Sequence, residues 1–422
     1  MFPGLICLLL LAAYRPWPPP EFRRLDAWLA IAMAAIAVQF VPLPAPIVDT
    51  LSPSARRVWQ SLSLAPISGP LPLSVDLSST AWALGVFAGA VAVFAVSRQV
   101  FATGGVRIVA RGIATIGLLL SAVSLAQDAT AHGLMYWRWS PPFQVAPPFG
   151  PFLNRNHFAT WVVLAVPASV GYLLAHAAAH ARHRDAPVHW QRALIEMMDA
   201  RSIWLAAAIC LMLVGLVASL SRAGMAGLIA ALAAATYLGG RKREVPFSGW
   251  ALAAVGFAAL AAAIRINPVD LYHRFGAVGV AAAGRAAIWR ATLPVVRDFW
   301  PTGTGAGTFE TIMLAYQHTP SLFRINAAHN HYLQVAAEGG VLVGVPVAIA
   351  LVLFVRAALA ALARDDSGMY LLRAGAFGGL VGAAVQSIWE TGLTTPANAV
   401  LAAVLAGIVL HRPVHDARSA GH

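Results

Sequence analysis

Charge is what this chain has least of. Only 11% of its 422 residues are Asp, Glu, Lys or Arg, against roughly 25% in ordinary soluble domains. Lysine is nearly missing, Lys242 being the single one among 29 basic residues. The two cysteines, Cys7 and Cys210, both sit in apolar runs, which excludes a disulfide framework and a thiolate metal cluster. No HExxH, Ser/His/Asp or paired-Asp arrangement suggests a hydrolase, and the outer loops hold few carboxylates and no DxD.

Apolar residues fill the gap. The chain is 59% hydrophobic with a mean hydropathy of +0.70, the signature of a protein whose mass lies mostly in a bilayer. The net charge of +12 comes from arginines between apolar segments, so membrane topology explains it better than nucleic acid does. Segments of spanning length are predicted at 26–45, 79–97, 107–126, 157–176, 203–219, 223–239, 247–264, 335–360, 370–388 and 396–411, with a short run at 1–14. The predicted fold is all-α: one integral membrane domain over 1–422 with about eleven transmembrane helices. Loop arginines place the C-terminus and the connectors 177–202 and 240–246 inside, and the long interval 265–332 outside.

The stretch from Arg285 to Leu333 is the main part of that outer interval. Wound as a helix, it puts Ile288, Trp289, Thr292, Leu293, Val295 and Val296 on one side, with Arg285 in the middle of that face. Arg290 and Arg297 share the opposite side. An arginine on a buried stripe calls for an anionic partner, although a long side chain near a membrane can also snorkel. Gly303, Gly305 and Gly307 predict a tight turn, since GxGxG without a βαβ context is no nucleotide loop. The interval closes with His329-Asn330-His331 at the start of the next apolar helix. His331 reads as packing or hydrogen bonding, and the pair lacks a carboxylate or cysteine at ligand spacing, so no metal is expected.

Other outer segments add to the pattern. Tyr136, Trp137 and Trp139 suit a membrane interface, and Asn154, Arg155, Asn156 and His157 either cap the following helix or meet an acceptor. In Ser219-Leu220-Ser221-Arg222-Ala223-Gly224, an arginine opposes the helix macrodipole while small residues permit close helix approach. Arg222 there reads equally as an anion ligand or as a common interfacial arginine. Glu338 and Glu390 fall at outer helix ends, where each can bond between helices or assist a base.

FLNRNHFA, SLSRAG, the GRAAIWR…DFWPTGTGAGTF block and AHNHYLQVAAEGG follow one another over about residues 145–345. In this order they resemble the O-antigen ligase and polymerase superfamily. The resemblance implies a glycosyltransferase class C-like membrane fold whose one large periplasmic loop, 265–332, carries part of the active site. It implies a catalytic histidine at His329 and diphosphate-binding arginines at Arg222 and Arg285. Trp289, Asn330, Tyr332, Arg155, Asn156 and His157 are the expected substrate contacts around them.

The implied donor is an undecaprenyl-diphosphate-linked glycan in the bacterial inner membrane, and the implied acceptor is lipid A-core or another glycan. Two guanidinium groups can stabilise the departing diphosphate without a metal or other cofactor. An imidazole, which titrates near neutral pH, can take the acceptor's proton. The rival within the family is a polymerase joining lipid-linked repeat units, and acceptor identity depends on cavity shape. A secondary transporter is the rival outside it, but the two halves do not resemble each other and the charges gather at the outer edge.

Overall fold

The computed structural model describes residues 22–63, 69–140, 147–182, 199–241, 278–317 and 325–411. The helices expected at 1–14 and 247–264 lie outside these. The described residues form α1 (Arg23–Val38), α2 (Ala45–Leu51), α3 (Pro53–Leu62), α4 (Leu77–Thr103), α5 (Val106–Thr130) and α6 (Arg155–Arg182). These are followed by α7 (Ala200–Ala218), α8 (Arg222–Arg241), α9 (Val278–Asp298), α10 (Phe309–Tyr316), α11 (His331–Arg364), α12 (Tyr370–Gln386) and α13 (Pro396–Leu410), with a short 3-10 turn at Gly392–Thr394. Six of them (α4 to α8, and α11) are long and apolar enough to cross a membrane. The regular structure of the described residues is all helical, and the six long apolar helices are those of a multi-pass membrane protein.

Three expected spans differ in the structure, and one of them, 396–411, forms α13 of only 15 residues, shorter than the membrane-length helices. The stretch 26–45 is not one helix: α1 stops at Val38, because Pro42 and Pro44 lack the N–H groups that would continue it. The stretch 370–388 does form a helix, but α12 buries 13 of its 17 residues and so is a core element rather than a lipid-facing one.

The chain divides into two compact units. The first lies within Met1–Val93, Ala277–Ala357 and Ser387–Ala399. Its core is Val48, Val58, Val75, Val295, Phe299, Phe309, Ile312 and Met313, contributed by α2, α3, α9, α10 and the residues before α4. Asp76 starts α4: its Oδ1 accepts from the backbone N–H groups of Ser78 (3.0 Å) and Ser79 (3.1 Å). Its Oδ2 takes the Thr311 hydroxyl of α10 at 3.1 Å. Partial burial pushes this carboxyl up, but the hydrogen bonds from Ser78, Ser79 and Thr311 outweigh it and hold the group down at about 2 instead of 3.8.

The second unit lies within Phe94–Gly276, Ala358–Gln386 and Val400–His422. Here α12 packs on α6 and α8, while α5, α6 and α7 pack on one another. Glycines let α12 touch its neighbours backbone to backbone. A Cβ on Gly375 would lie 2.1 Å from the Pro167 carbonyl oxygen, and one on Gly382 would lie 2.5 Å from that of Gly227. Arg373, buried on the same helix, pairs with Asp365 at 3.0 Å and donates to the His411 carbonyl.

Gly375→Ala should destabilise the protein by about 1–3 kcal/mol through overpacking. Gly112→Ala, with nothing within 4 Å of the new methyl, should gain about 1 kcal/mol of helix propensity; thermal unfolding midpoints in detergent check both. For Asp76 the folded value lies below the unfolded one, so its stabilisation is complete above about pH 4 and lost as the pH falls towards about 2. The gap in midpoint between wild type and Asp76→Ala should close over that window.

Candidate active site

His329 stands where an extended segment turns into α11. Its φ of 48° is left-handed, a strained conformation for a residue with a Cβ. The chain is clamped on both sides of it. Before it, Ala328 accepts from the Trp289 indole at 3.0 Å through its carbonyl and donates its N–H to Gln334 at 3.1 Å. After it, the Asn330 side chain caps α11 by accepting from Leu333 N–H at 3.0 Å, and His331 N–H donates to the Ser387 carbonyl at 2.8 Å. The imidazole is 29% exposed, and its Nδ1 lies 3.3 Å from Oε1 of the buried Glu390.

α11 itself is not continuous. Gly340 leaves the helix with φ 55° and ψ −154°, nine residues or about 13 Å beyond His331. The remainder, Val341–Arg364, is about 36 Å long, enough to span a bilayer of about 30 Å. Its outward residues Val341, Val345, Leu351 and Val352 are exposed apolar groups, as a lipid face requires. The break thus separates a bilayer-length run from a short helical head that carries His329 at its tip.

The glycine-rich turn fills the break. Val341 and Leu342 N–H donate to the carbonyls of Trp300 and Pro301, and Gly305 N–H donates to the Glu338 carbonyl. Gly303 has φ 70° and passes so close that a Cβ there would lie 2.1 Å from that same carbonyl oxygen. The Glu338 side chain accepts from Gly307 N–H at 2.8 Å, Phe309 N–H at 3.1 Å and Gln334 Nε2 at 3.1 Å. Gln39, buried after α1, donates to the Thr302 and Glu338 carbonyls and accepts from Ala306 N–H. The glycines therefore shape a backbone plug, and Glu338 holds it.

Arg285 lies on α9, half-buried, one turn before Trp289. Residues four apart on a helix share a face, so the indole that holds Ala328 beside His329 brings the Arg285 side of α9 to the same segment. The buried side of α9 runs through Thr292, Val295 and Phe299. Leu293 was expected on it but is 57% exposed, since it falls at the edge of the predicted stripe. Arg290 and Arg297 are exposed, as expected. Tyr332 is exposed at the start of α11.

The remaining candidates belong to the second unit. Arg222 opens α8, half-buried, after a turn with Leu220 at φ 55°. Ser221 caps that helix by accepting from Gly224 N–H at 3.2 Å. A Cβ on Gly224 would lie 2.6 Å from that of Ala159, so the first turns of α8 and α6 abut. Arg155, Asn156 and His157 are the opening residues of α6. Asn154 caps them through Asn156 N–H at 2.8 Å, and Gln386 binds the Asn156 carbonyl at 3.2 Å. Arg222 and this cluster therefore share one end of the unit.

A family model described as O-Antigen ligase matches residues 207–348. Over those residues the chain is similar to the O-antigen ligase family. The match takes in Arg222, Arg285, Trp289 and His329, while Arg155–His157 precede it and Glu390 follows it. A search of curated proteins finds no match. In and around the matched residues the structure adds partners that residue patterns left undecided. The indole of Trp289 and the amide of Asn330, both expected to contact substrate, hold the local backbone. Of the two glutamates, Glu338 binds the plug and Glu390 faces His329. Among the described residues no three His, Cys, Asp or Glu side chains gather as a metal site would require.

Because Glu338 satisfies two backbone donors, Glu338→Ala should strand them at about 1–3 kcal/mol each and lower the unfolding midpoint.

Proposed function

We propose that the protein is a glycosyltransferase of the periplasmic face of the bacterial inner membrane. It moves a glycan from undecaprenyl diphosphate to an acceptor hydroxyl, that of lipid A-core. The observation that carries this reading is the O-antigen ligase match, which contains Arg222, Arg285 and His329 together. The half-exposed imidazole at a helical head, with the Arg285 side of α9 tied beside it, is consistent with a base and an anion ligand serving one donor.

In this reaction the acceptor oxygen attacks the anomeric carbon of the donor sugar while Nε2 of His329 takes the hydroxyl proton. The new C1–O bond forms as the bond from C1 to the phosphate oxygen breaks, and the electron pair leaves with undecaprenyl diphosphate. Direct displacement inverts the anomeric centre. Arg285 and Arg222 bear the growing negative charge on the leaving group. Guanidinium groups suit this because each offers a planar fork of donors that never loses its charge. Preorganised charge of this kind is worth more in a site partly excluded from water. Tyr332 and the Arg155–His157 helix start offer the polar and aromatic surface that sugars need.

Purified protein should convert a polyprenyl-diphosphate glycan and lipid A-core into a product of summed glycan mass, read by mass spectrometry. Joining of two lipid-linked repeat units instead would make it a polymerase. Arg222→Ala, Arg285→Ala and His329→Ala should each lower transfer by about 10²–10⁴-fold in protein that still inserts in the membrane. Wild-type transfer by His329→Ala would remove the base. EDTA should leave the rate unchanged, and loss restored by a divalent ion would point to a metal on His329 and His331.

A further inference from the structure

A histidine that accepts a proton through one ring nitrogen needs its other nitrogen protonated and held. In the unit around His329 two glutamates are buried, and their surroundings separate them. Glu338 is engaged by Gly307 N–H, Phe309 N–H and Gln334, all within the plug. Glu390 has Oε1 3.3 Å from His329 Nδ1, and the Thr391 N–H donates to the same oxygen at 3.0 Å.

The segment that carries Glu390 also grips the histidine's backbone. Ser387 accepts from His331 N–H at 2.8 Å, so residues 387–390 hold 329–331 once through the main chain and once through the side chain. On its far side Glu390 leads into the 3-10 turn, where Asn398 Nδ2 binds the Gly392 carbonyl at 2.8 Å. The left-handed backbone of His329 and the ties on Ala328 fix the main chain that carries the imidazole. At 1% exposure Glu390 cannot reach an acceptor, whereas His329 at 29% can.

We propose that Glu390 is a positioning residue that accepts a hydrogen bond from Nδ1–H of His329, fixing the tautomer that leaves the Nε2 lone pair facing the acceptor. In this assignment Glu390 is the ionised partner, which only accepts, and the hydrogen between the two groups belongs to the ring. When Nε2 takes the acceptor's proton, the same carboxylate balances the imidazolium charge. This role rests on the transfer reaction proposed above. It concerns a residue outside the matched ligase domain, 61 positions from the histidine.

Two measurements separate this proposal from the reaction it serves. The first needs no turnover: ¹⁵N-histidine-labelled protein in lipid bilayers, with the His329 signals assigned by their absence in His329→Gln. Wild-type His329 should show Nδ1 protonated and Nε2 bare near neutral pH, and Glu390→Gln should shift it towards the other tautomer. A bare Nδ1 in the wild type, or a spectrum unchanged in Glu390→Gln, would overturn the proposal even if transfer by His329 stands.

The second is kinetic. Glu390→Gln should lower kcat by about 10–10²-fold, as loss of a partner that orients a histidine does, with KM for the lipid-linked donor within about two-fold. Glu390→Asp should recover part of the loss. In a His329→Gln background Glu390→Gln should have no further effect on rate, because the two act as a unit. Full kcat in Glu390→Gln, or a further loss in the double variant, would count against it. Should His329→Gln itself retain full transfer, the reaction reading falls while the tautomer measurement still decides the pair.

Discussion

A carboxylate that binds backbone N–H groups rather than a cation organises the unit around His329. A helix that breaks at Gly340 leaves donors and acceptors exposed at the break, and each would cost about 1–3 kcal/mol if buried without a partner. The turn from Trp300 to Phe309 supplies the missing groups, and Glu338 ties the turn to the helical head from the other side. Gln39 then closes the arrangement from α1. Backbone satisfaction, more than apolar area, determines where the head of α11 stands.

Two of the candidate residues, His329 and Arg222, lie at or just after strained turns, whereas Arg285 sits in regular helix. His329 is left-handed and held on both flanks, and Leu220 is left-handed two residues before Arg222. Strain of this sort persists only where surrounding contacts over-determine the conformation. Both turns have such contacts: Trp289, Gln334 and Ser387 around His329, and Ser219 and Ser221 before Arg222. Rigid placement is what a transfer reaction asks of its charged groups.

Much of this was legible in the residues. A bilayer demands long apolar helices, so α4 to α8 and α11 followed from hydropathy, and the glycine spacing marked a turn instead of a nucleotide loop. The limits have physical causes. The apolar run at 370–388 looks alike whether it faces lipid or protein, and only its glycines (close enough to touch the carbonyls of α6 and α8) tell them apart. Leu293 sits at the rim of its helical stripe, where a wheel cannot say which way the contact face rotates. The Gly339-Gly340 pair carried a signal for the break that hydropathy smoothed over. Gln39 with Ala306 and Glu390 with His329 left no local signal, because partners separated by 267 and 61 residues meet only through the fold.

The bare face of α12 has a wider meaning for how such a protein can vary. Where main chain rests on main chain at Gly375 and Gly382, α12 offers no side chain whose trimming could loosen its contact with α6 and α8. The first turns of those two helices, with Arg222 on one and the Arg155–His157 cluster on the other, meet with as little room, so a larger residue at Gly224 would press on Ala159 and force them apart.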